Sequence, residues 1–572
     1  MRRRSLYGLL LLGAFVCPAA VHAADDAAIW SKPRFTADGG ELNKAAANLS
    51  VKPGTGVVVL NEENTYVFEA DGKAVHTHYL VYKILTQGGA EGWDATELRW
   101  EPWHQQRPVL RARVITPDNQ VHSLDAKTIT DAPSNDEDDK TYGDSRVLRA
   151  PLPAIAPGSI VEEEQVYKED APFFEAGVVE RAYFGRGVPV ERTKLTLDAP
   201  TSLPLRYSLQ LLPDLKPQKS EDNGRTQIVF EQGPMEALDP YESYLPKDMA
   251  AQPMLTFSTG ASWQSIASAY GKIVGEKATL QDVQALVDGL ISGKTTRDEK
   301  AAAILQYLSK EVRYTGVEFG SAAIIPHAPA QTLKNKYGDC KDKATLAVTM
   351  LRASGIPAYV ALLNVGQRQD VAPEMPGMGL FDHAIVYVPG SSDLWIDPTD
   401  AYAQLGEVPQ ADQGRLALIA RAESTGLVTI PEASSNDNRI VEKREFYLAE
   451  NGPARIVETT HVSGVFDSWF RGAYADDKDK ETEKNLKTYI GSEYLSEKLT
   501  RWDRSDPKDL SKPFQLVLEA DAAKRGATDL DAAVAAIRLD SIFYYLPDIL
   551  KQREPKPENE TDEAKDQPKK PR

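Results

Sequence analysis

The sequence predicts a multidomain chain: an N-terminal all-β sandwich, a central α+β domain, and a smaller C-terminal domain of mixed or mainly β structure. Three observations carry this reading. Short runs of alternating apolar and polar residues, separated by turn chemistry, fill the chain from about Val57 to Phe230. After Ser262 the apolar spacing lengthens to three and four residues, the helical period. Short apolar strands then follow those helices rather than alternating with them, which is the order of an α+β domain. The 572 residues leave room for three or four domains. The divisions expected are a leader at 1–23, the β sandwich at 24–255, the α+β domain at 256–430, the C-terminal domain at 431–550 and a tail at 551–572.

The leader comes first. Arg2, Arg3 and Arg4 precede an apolar run from Leu6 to Ala20 and the small-residue pattern Val21-His22-Ala23, the three parts of a secretory signal. The run is about fifteen residues with Pro18 inside it, short for a membrane span of roughly twenty. Phe15 and Val16 before Cys17 do not fit a lipid-attachment site. A periplasmic or secreted mature chain starting near Ala24 is expected, with no membrane span after cleavage. Its net charge, already -18 with the leader attached, disfavours nucleic acid as a partner.

In the β region, "TYVFEADGKAVHTHYLVYKIL" reads as a hairpin with Asp71-Gly72 at its tip, and "LRARVITPDNQVHSL" as another turning at Pro117-Asp118-Asn119. "SIVEEEQVYKED" and "RTKLTLDAP" add strands. The acidic stretch Ser134–Lys140 lacks the glycine and closing glutamate of a calcium loop and reads as a solvated loop. His76 and His78 share a strand face, with His104 and His122 in the same domain. No cysteine or carboxylate pattern completes a ligand set, so surface histidines are expected rather than a metal centre. Trp93, Trp100 and Trp103 could stack on a sugar, but core packing is the expected use.

Three helices follow, "SWQSIASAYGKIV", "TLQDVQALVDGLISG" and "TTRDEKAAAILQYLSKEVRY", the last opened by a capping box of Thr296 and Glu299. They lead to "KYGDCKDKATLAVTMLRASGIPAYV", which holds the single cysteine expected in the mature chain. Asp339 suits an N-cap, Ala344, Ala347, Met350 and Leu351 form an apolar stripe, and Gly355 with Pro357 ends the helix. Cys340 therefore sits in a first turn, where unpaired amides and the helix dipole favour a thiolate, although Asp339 beside it works the other way. His383 begins the strand "HAIVYVP" and Asp397 ends the next, "LWIDP". Adjacent antiparallel strands can set the two side by side, the carboxylate fixing the imidazole and the imidazole facing the thiol. Beyond the core, "EKREFYLAENGPARIVETTHVSG" is a hairpin turning at Glu450-Asn451-Gly452, followed by a polar helical stretch from Lys478 to Lys498 and the strand "PFQLVLEAD". From Arg553 onward, proline and charge without large aliphatic residues predict disorder.

The strings "YGDCKDKATLAVTMLRASGIPAYVALL", "FDHAIVYV" and "LWIDPTD" resemble the bacterial transglutaminase-like family, papain-like in its sheet-and-helix core. The upstream "EVRYTGVEFG" is similar to the segment such proteins carry before the cysteine signature. The resemblance implies Cys340 as nucleophile, His383 as base and acid, and Asp397 as orienter. It also implies an uncharacterised β domain before the core and a smaller uncharacterised domain after it, as is common in bacterial envelope proteins. A cysteine-dependent enzyme acting on amide or peptide bonds is expected, resolving a thioester with water or an amine, on a protein or peptide substrate of the cell envelope. The alternative is a non-catalytic envelope binding or scaffold protein with a relic core. The Cys340 amide is the expected oxyanion donor, and Tyr314, Tyr337 and Gln331 are candidate pocket residues. Cys340 with His383 lacks the four-ligand spacing of a zinc site, and no phosphate loop or dinucleotide fingerprint is present. No cofactor is expected, and the oligomeric state is left open.

Overall fold

The computed structural model describes residues 29–538 except 48, 135–140, 240–244, 367–368 and 476–477. The expected leader and tail, and most of the acidic stretch Ser134–Lys140, lie outside the described residues. The chain divides into two compact units, Met1–Ala433 and Ser434–Arg572.

The first unit begins with an eight-stranded sheet in the order Gln218–Asp222, Arg225–Gln232, Thr193–Pro200, Val57–Phe68, Ala74–Ile84, Ile160–Lys168, Val109–Ile115, Val121–Ser123. Both predicted hairpins are present, and Gly72 and Asn119 at their tips have φ of 89° and 65°, as tight turns require. Two three-stranded sheets cover one face. Leu98, Trp100 and Leu148 pack against Leu110 and Tyr167, while Leu255 and Phe257 pack against Tyr66, Phe68 and Phe230. On the opposite face Val58, Leu60 and Val81 are covered by Leu42 and Ala46 at a short helix, Gly39–Ala45. This helix and Gln87–Gly92 are additions to the all-β expectation.

Three of the four β-region histidines correct the surface assignment. The strand Ala74–Ile84 is apolar at Leu80, Tyr82 and Ile84 but turns polar at His76 and His78 on the same face. These two line a polar cavity of about 560 Å³ with Glu62, Tyr167 and Glu180. The His76 ring stacks on Tyr66 at 4.1 Å between centroids, and burial lowers its pKa to about 3. His78 meets the Glu62 carboxylate at 3.1 Å, and His104 is 4% exposed. Only His122 of the four is exposed.

The buried cluster runs on from the β region into the helices Trp263–Lys277 and Arg297–Glu311 and the helix Cys340–Ala353. The expected capping box of Thr296 and Glu299 is formed. Behind these helices lies an antiparallel sheet in the order Leu394–Ile396, His383–Val388, Tyr359–Leu363, Leu416–Ile419, Val428–Thr429. Among the described residues no helix is long and apolar enough to cross a membrane.

In the second unit, the hairpin Arg439–Tyr447 and Gly452–Ser463 extends through Gln515–Thr528 to Lys498–Arg504. Two helices, Val465–Ala475 and Asp479–Glu493, pack on this sheet through Phe470, Leu486 and Ile490. The first helix is an addition to the sequence expectation: Phe466, Phe470 and Tyr474 recur at the helical period, but the run is only eleven residues long and its inward face also carries a charged pair. Arg471 is fully buried, its Nε donating to Asp467 Oδ2 at 2.5 Å and its guanidinium to the carbonyls of Pro507 and Asp509. Replacing Arg471 with alanine strands the Asp467 charge, a change that typically costs about 3–5 kcal/mol. Limited proteolysis mapped by mass spectrometry should then show cleavage within 434–538 accelerated by about 10²-fold or more. Unchanged cleavage would mean the pair carries little of this unit's stability.

Candidate active site

The string Tyr337–Lys343 is explained residue by residue once folded. Gly338 is needed for clearance: a Cβ there would stand 2.6 Å from Asp342 Cβ and 3.1 Å from Thr332 Cγ2. Asp339 is the N-cap, its carboxylate accepting from the Asp342 amide at 3.1 Å. Its remaining charge is taken up by the Lys341 ammonium, which also donates to Glu318 at 3.0 Å. The acid expected to oppose a thiolate is thus neutralised by its own neighbour. Asp342 accepts from the His327 amide at 2.7 Å and faces the His327 ring at 3.1 Å, pinning the incoming loop. Lys343 is 1% exposed and donates to the Val312 carbonyl at 2.7 Å; burial lowers its pKa to about 8, against the pull of Asp397 and Asp400.

The helix is correspondingly not amphipathic. Every residue from Lys341 to Leu351 is buried, because the sheet strand His383–Val388 packs on one side and the helices Arg297–Glu311 and Pro329–Asn335 on others. Only its start opens outward. Cys340 is half-buried at that start, and its amide, the first of the helix, has no intrahelical acceptor.

His383 faces this sulfur. Strand pairing of Val386 with Ile396 and Val388 with Leu394 brings Asp397, the residue after Leu394–Ile396, alongside His383. His383 Nε2 lies 3.2 Å from Asp397 Oδ2, and His383 shares one cavity wall with Cys340. With Nε2 directed at the carboxylate, Nδ1 is the ring nitrogen left for sulfur. Burial disfavours the imidazolium, but the bonds to Asp397 and Cys340 outweigh it and raise the His383 pKa well above 6.5. Asp397 is 3% exposed, and its Oδ1 is fixed by the Thr399 amide at 2.8 Å and hydroxyl at 2.7 Å. Burial would raise its pKa; His383 and Thr399 reverse the direction and hold it below the usual carboxylate range. The three residues singled out in the sequence are therefore brought to one site, His383 paired with Asp397 and sharing a cavity wall with Cys340.

A fourth group gave no signal in the sequence. Asp412, 1% exposed, places a carboxylate oxygen within 4.8 Å of ligand atoms of both His383 and Asp397. Burial, then the nearby Asp397, pushes it up to about 7. These three are the His and carboxylate trio among the described residues that could hold a cation. A protonated Asp412 accounts for the grouping without one.

The row opens on a cavity of about 770 Å³. Tyr314, Tyr337 and Gln331, expected as pocket residues, do not line it. Tyr314 and Tyr337 lie in a short parallel bridge that brackets Gly338, and Gln331 is exposed on the helix Pro329–Asn335. The lining includes Tyr270, whose hydroxyl donates to the Ile324 carbonyl at 3.2 Å, and Phe381. Of the three tryptophans expected in the β core, Trp93 and Trp100 do pack there, but Trp103 stands in the cavity wall.

Residues 284–397 match the family described as the transglutaminase-like superfamily. The central domain belongs to that superfamily. Residues 70–238, upstream of the transglutaminase-like domain, match DUF3857, a domain of unknown function. Among solved structures, a candidate protease of Parabacteroides distasonis is 12% identical with a TM-score of 0.54, over 82% of this chain and 94% of that one. At that identity the likeness speaks for the fold, which the two share through the β and transglutaminase-like regions alike. A candidate cysteine protease of Cytophaga hutchinsonii is 14% identical over 45% of this chain and 86% of that one, with a TM-score of 0.21, too low to bear on the fold. No curated protein matches significantly.

Proposed function

We propose that this transglutaminase-like protein is a cysteine-dependent enzyme that opens amide bonds through a thioester, in the periplasm or outside the cell. The observation that carries the reading is the placing of Cys340 and His383 together in the wall of an open cavity, with His383 paired to the buried Asp397. The leader pattern supports the location. In the first step the Cys340 thiolate attacks the carbonyl carbon and a C–S bond forms. As the tetrahedral centre collapses the C–N bond breaks, and His383 gives its proton to the departing nitrogen. The Cys340 amide, first of its helix and without an intrahelical acceptor, donates to the oxyanion in this reading. Water or a primary amine then attacks the thioester, His383 takes the proton, and the thiolate leaves. The choice between hydrolysis and transfer depends on how well the occupied cavity excludes water.

Iodoacetamide labelling of Cys340 tests the reading. Rapid modification at pH 6, with a covalent acyl adduct captured by mass spectrometry after incubation with glutamine-containing peptides, is expected. Slow modification that rises only above pH 8, with no adduct, would return the chain to the scaffold alternative.

A further inference from the structure

We infer that the cavity wall supplied by the N-terminal β domain selects substrates carrying a lysine or arginine side chain beside the amide that Cys340 attacks. This rests on the cysteine-enzyme reading and adds a substrate class to it.

The cavity is composite. The transglutaminase-like domain supplies the wall with Cys340 and His383, and the β domain supplies Glu101, Trp103, Tyr142, Asp144 and Phe173. Two contacts tie the second wall to the first, and a third braces it from within. Thr141–Gly143 pairs in parallel with Gly316–Glu318, the Gly320 amide donates to the Asp144 carboxylate at 3.0 Å, and the Ser145 hydroxyl donates to Glu101. Gly316 permits the approach, since a Cβ there would lie 2.9 Å from Thr141 Cγ2. A β domain serving only as a spacer has no need of this lacing at the edge of the cavity.

The wall is unbalanced in charge. The lining holds the carboxylates of Glu101, Asp144, Glu318 and Asp382 and a single ammonium, Lys341. Lys341 is held by Glu318 and Asp339, and His383 is engaged with Asp397. Glu101, Asp144 and Asp382 have no ion-pair partner among the described residues; neutral donors orient them without cancelling their charge. Carboxylates gathered in a cleft attract cations and repel anions. The same wall offers rings. Tyr142, in one paired segment, and Phe319, just after the other, are 57% and 56% exposed, and Trp103 lies alongside Phe173 at 5.8 Å between centroids. An aliphatic stem ending in a positive head suits both features, the stem lying on the rings and the head meeting the carboxylates.

The test uses fluorescein-labelled octapeptides of Gly, Ala and Gln that differ only in one central residue, Lys, Met or Glu. For the native protein at low salt, kcat/KM should favour Lys over Met by about tenfold or more and disfavour Glu, and the spread should narrow as salt rises. Glu101→Gln and Asp144→Asn should each cut the Lys-to-Met ratio by about threefold or more. Equal rates for the Lys and Glu peptides, or ratios untouched by both substitutions, would overturn the inference. Binding of the same peptides to the Cys340→Ala protein, followed by anisotropy, reads the preference without turnover. A charge preference in binding with no turnover of any peptide by the native protein would uphold the wall and sink the enzyme reading. Binding indifferent to charge would sink the wall alone.

Discussion

Replacing Cys340 with alanine should abolish turnover of glutamine-containing peptides, with kcat falling by about 10⁴-fold or more, while thermal unfolding stays near native. The two halves of this expectation have separate physical grounds. The sulfur is the atom that would bond to the acyl carbon, and the row contains no second group able to replace it. The fold, by contrast, asks little of the thiol. It is half-buried at the open end of its helix, whose start is fixed by the Asp339 cap and by the Lys341 and Asp342 anchors. Alanine, the best helix former, removes one atom there. Groups that act as a unit are not additive, so adding His383→Ala to Cys340→Ala should cost little more than the single change. Kinetics on the single and double variants check this beside a melting curve. Retained turnover in Cys340→Ala would remove the thioester mechanism altogether.

The triplet of site residues was legible because each stood at a punctuation mark of the sequence. Cys340 follows an N-cap, His383 opens an apolar strand, and Asp397 closes the next. Two adjacent strands with a short connection have few ways to pair. The motif's charged letters were not legible as partners. Lys341, Asp342 and Lys343 look like the solvated start of a helix. All three are buried, because their hydrogen-bond partners come from Glu318, His327 and Val312, on segments whose sequence carries no mark of the contact. Asp412 is the same case, an acid in a loop that sequence order places with the surface and folding places behind His383.

The β domain shows a similar division. Its hairpins are local, and period-two alternation with turn residues located them. Which residues of its loops reach another domain is decided by non-local packing, and so Trp103 looked like one more core aromatic. The histidines were misplaced for a related reason. Polar residues on a strand face suggest solvent, yet this face is roofed by smaller sheets, and the polar groups satisfy one another inside. The missed helix Val465–Ala475 does carry a helical period in Phe466, Phe470 and Tyr474, but over only eleven residues and beside an Arg471–Asp467 ion pair that also faces inward.

Asp397→Asn should lower activity by about 10²- to 10⁴-fold and move the alkaline limb of the pH profile to lower pH. The Thr399 amide and hydroxyl both donate to Oδ1, so an asparagine keeps its carbonyl oxygen there and presents Nδ2 where Oδ2 faced His383 Nε2. An NH₂ group can only donate to Nε2. That bond requires Nε2 to be unprotonated, which moves the ring proton to Nδ1 and disfavours the imidazolium. The wrong tautomer, in otherwise intact geometry, is the recognised route to losses of this size in Asp-oriented imidazoles. The sign in pH follows from the native shift. Bonds to Asp397 and Cys340, acting against burial, hold the His383 pKa well above 6.5. The native imidazolium therefore survives above that pH, and activity should decline only as pH passes the raised value. Losing the carboxylate brings that decline closer to neutrality. The same linkage appears in stability. The native His383 contributes fully below its unfolded pKa of about 6.5, and the contribution is lost as pH rises through the folded value. Raising the pH from 6 to 9 should then destabilise the native protein more than Asp397→Asn, read as the difference in their melting temperatures. Coincident pH profiles for the two proteins, in rate and in melting, would mean that Asp397 does not govern the charge on His383.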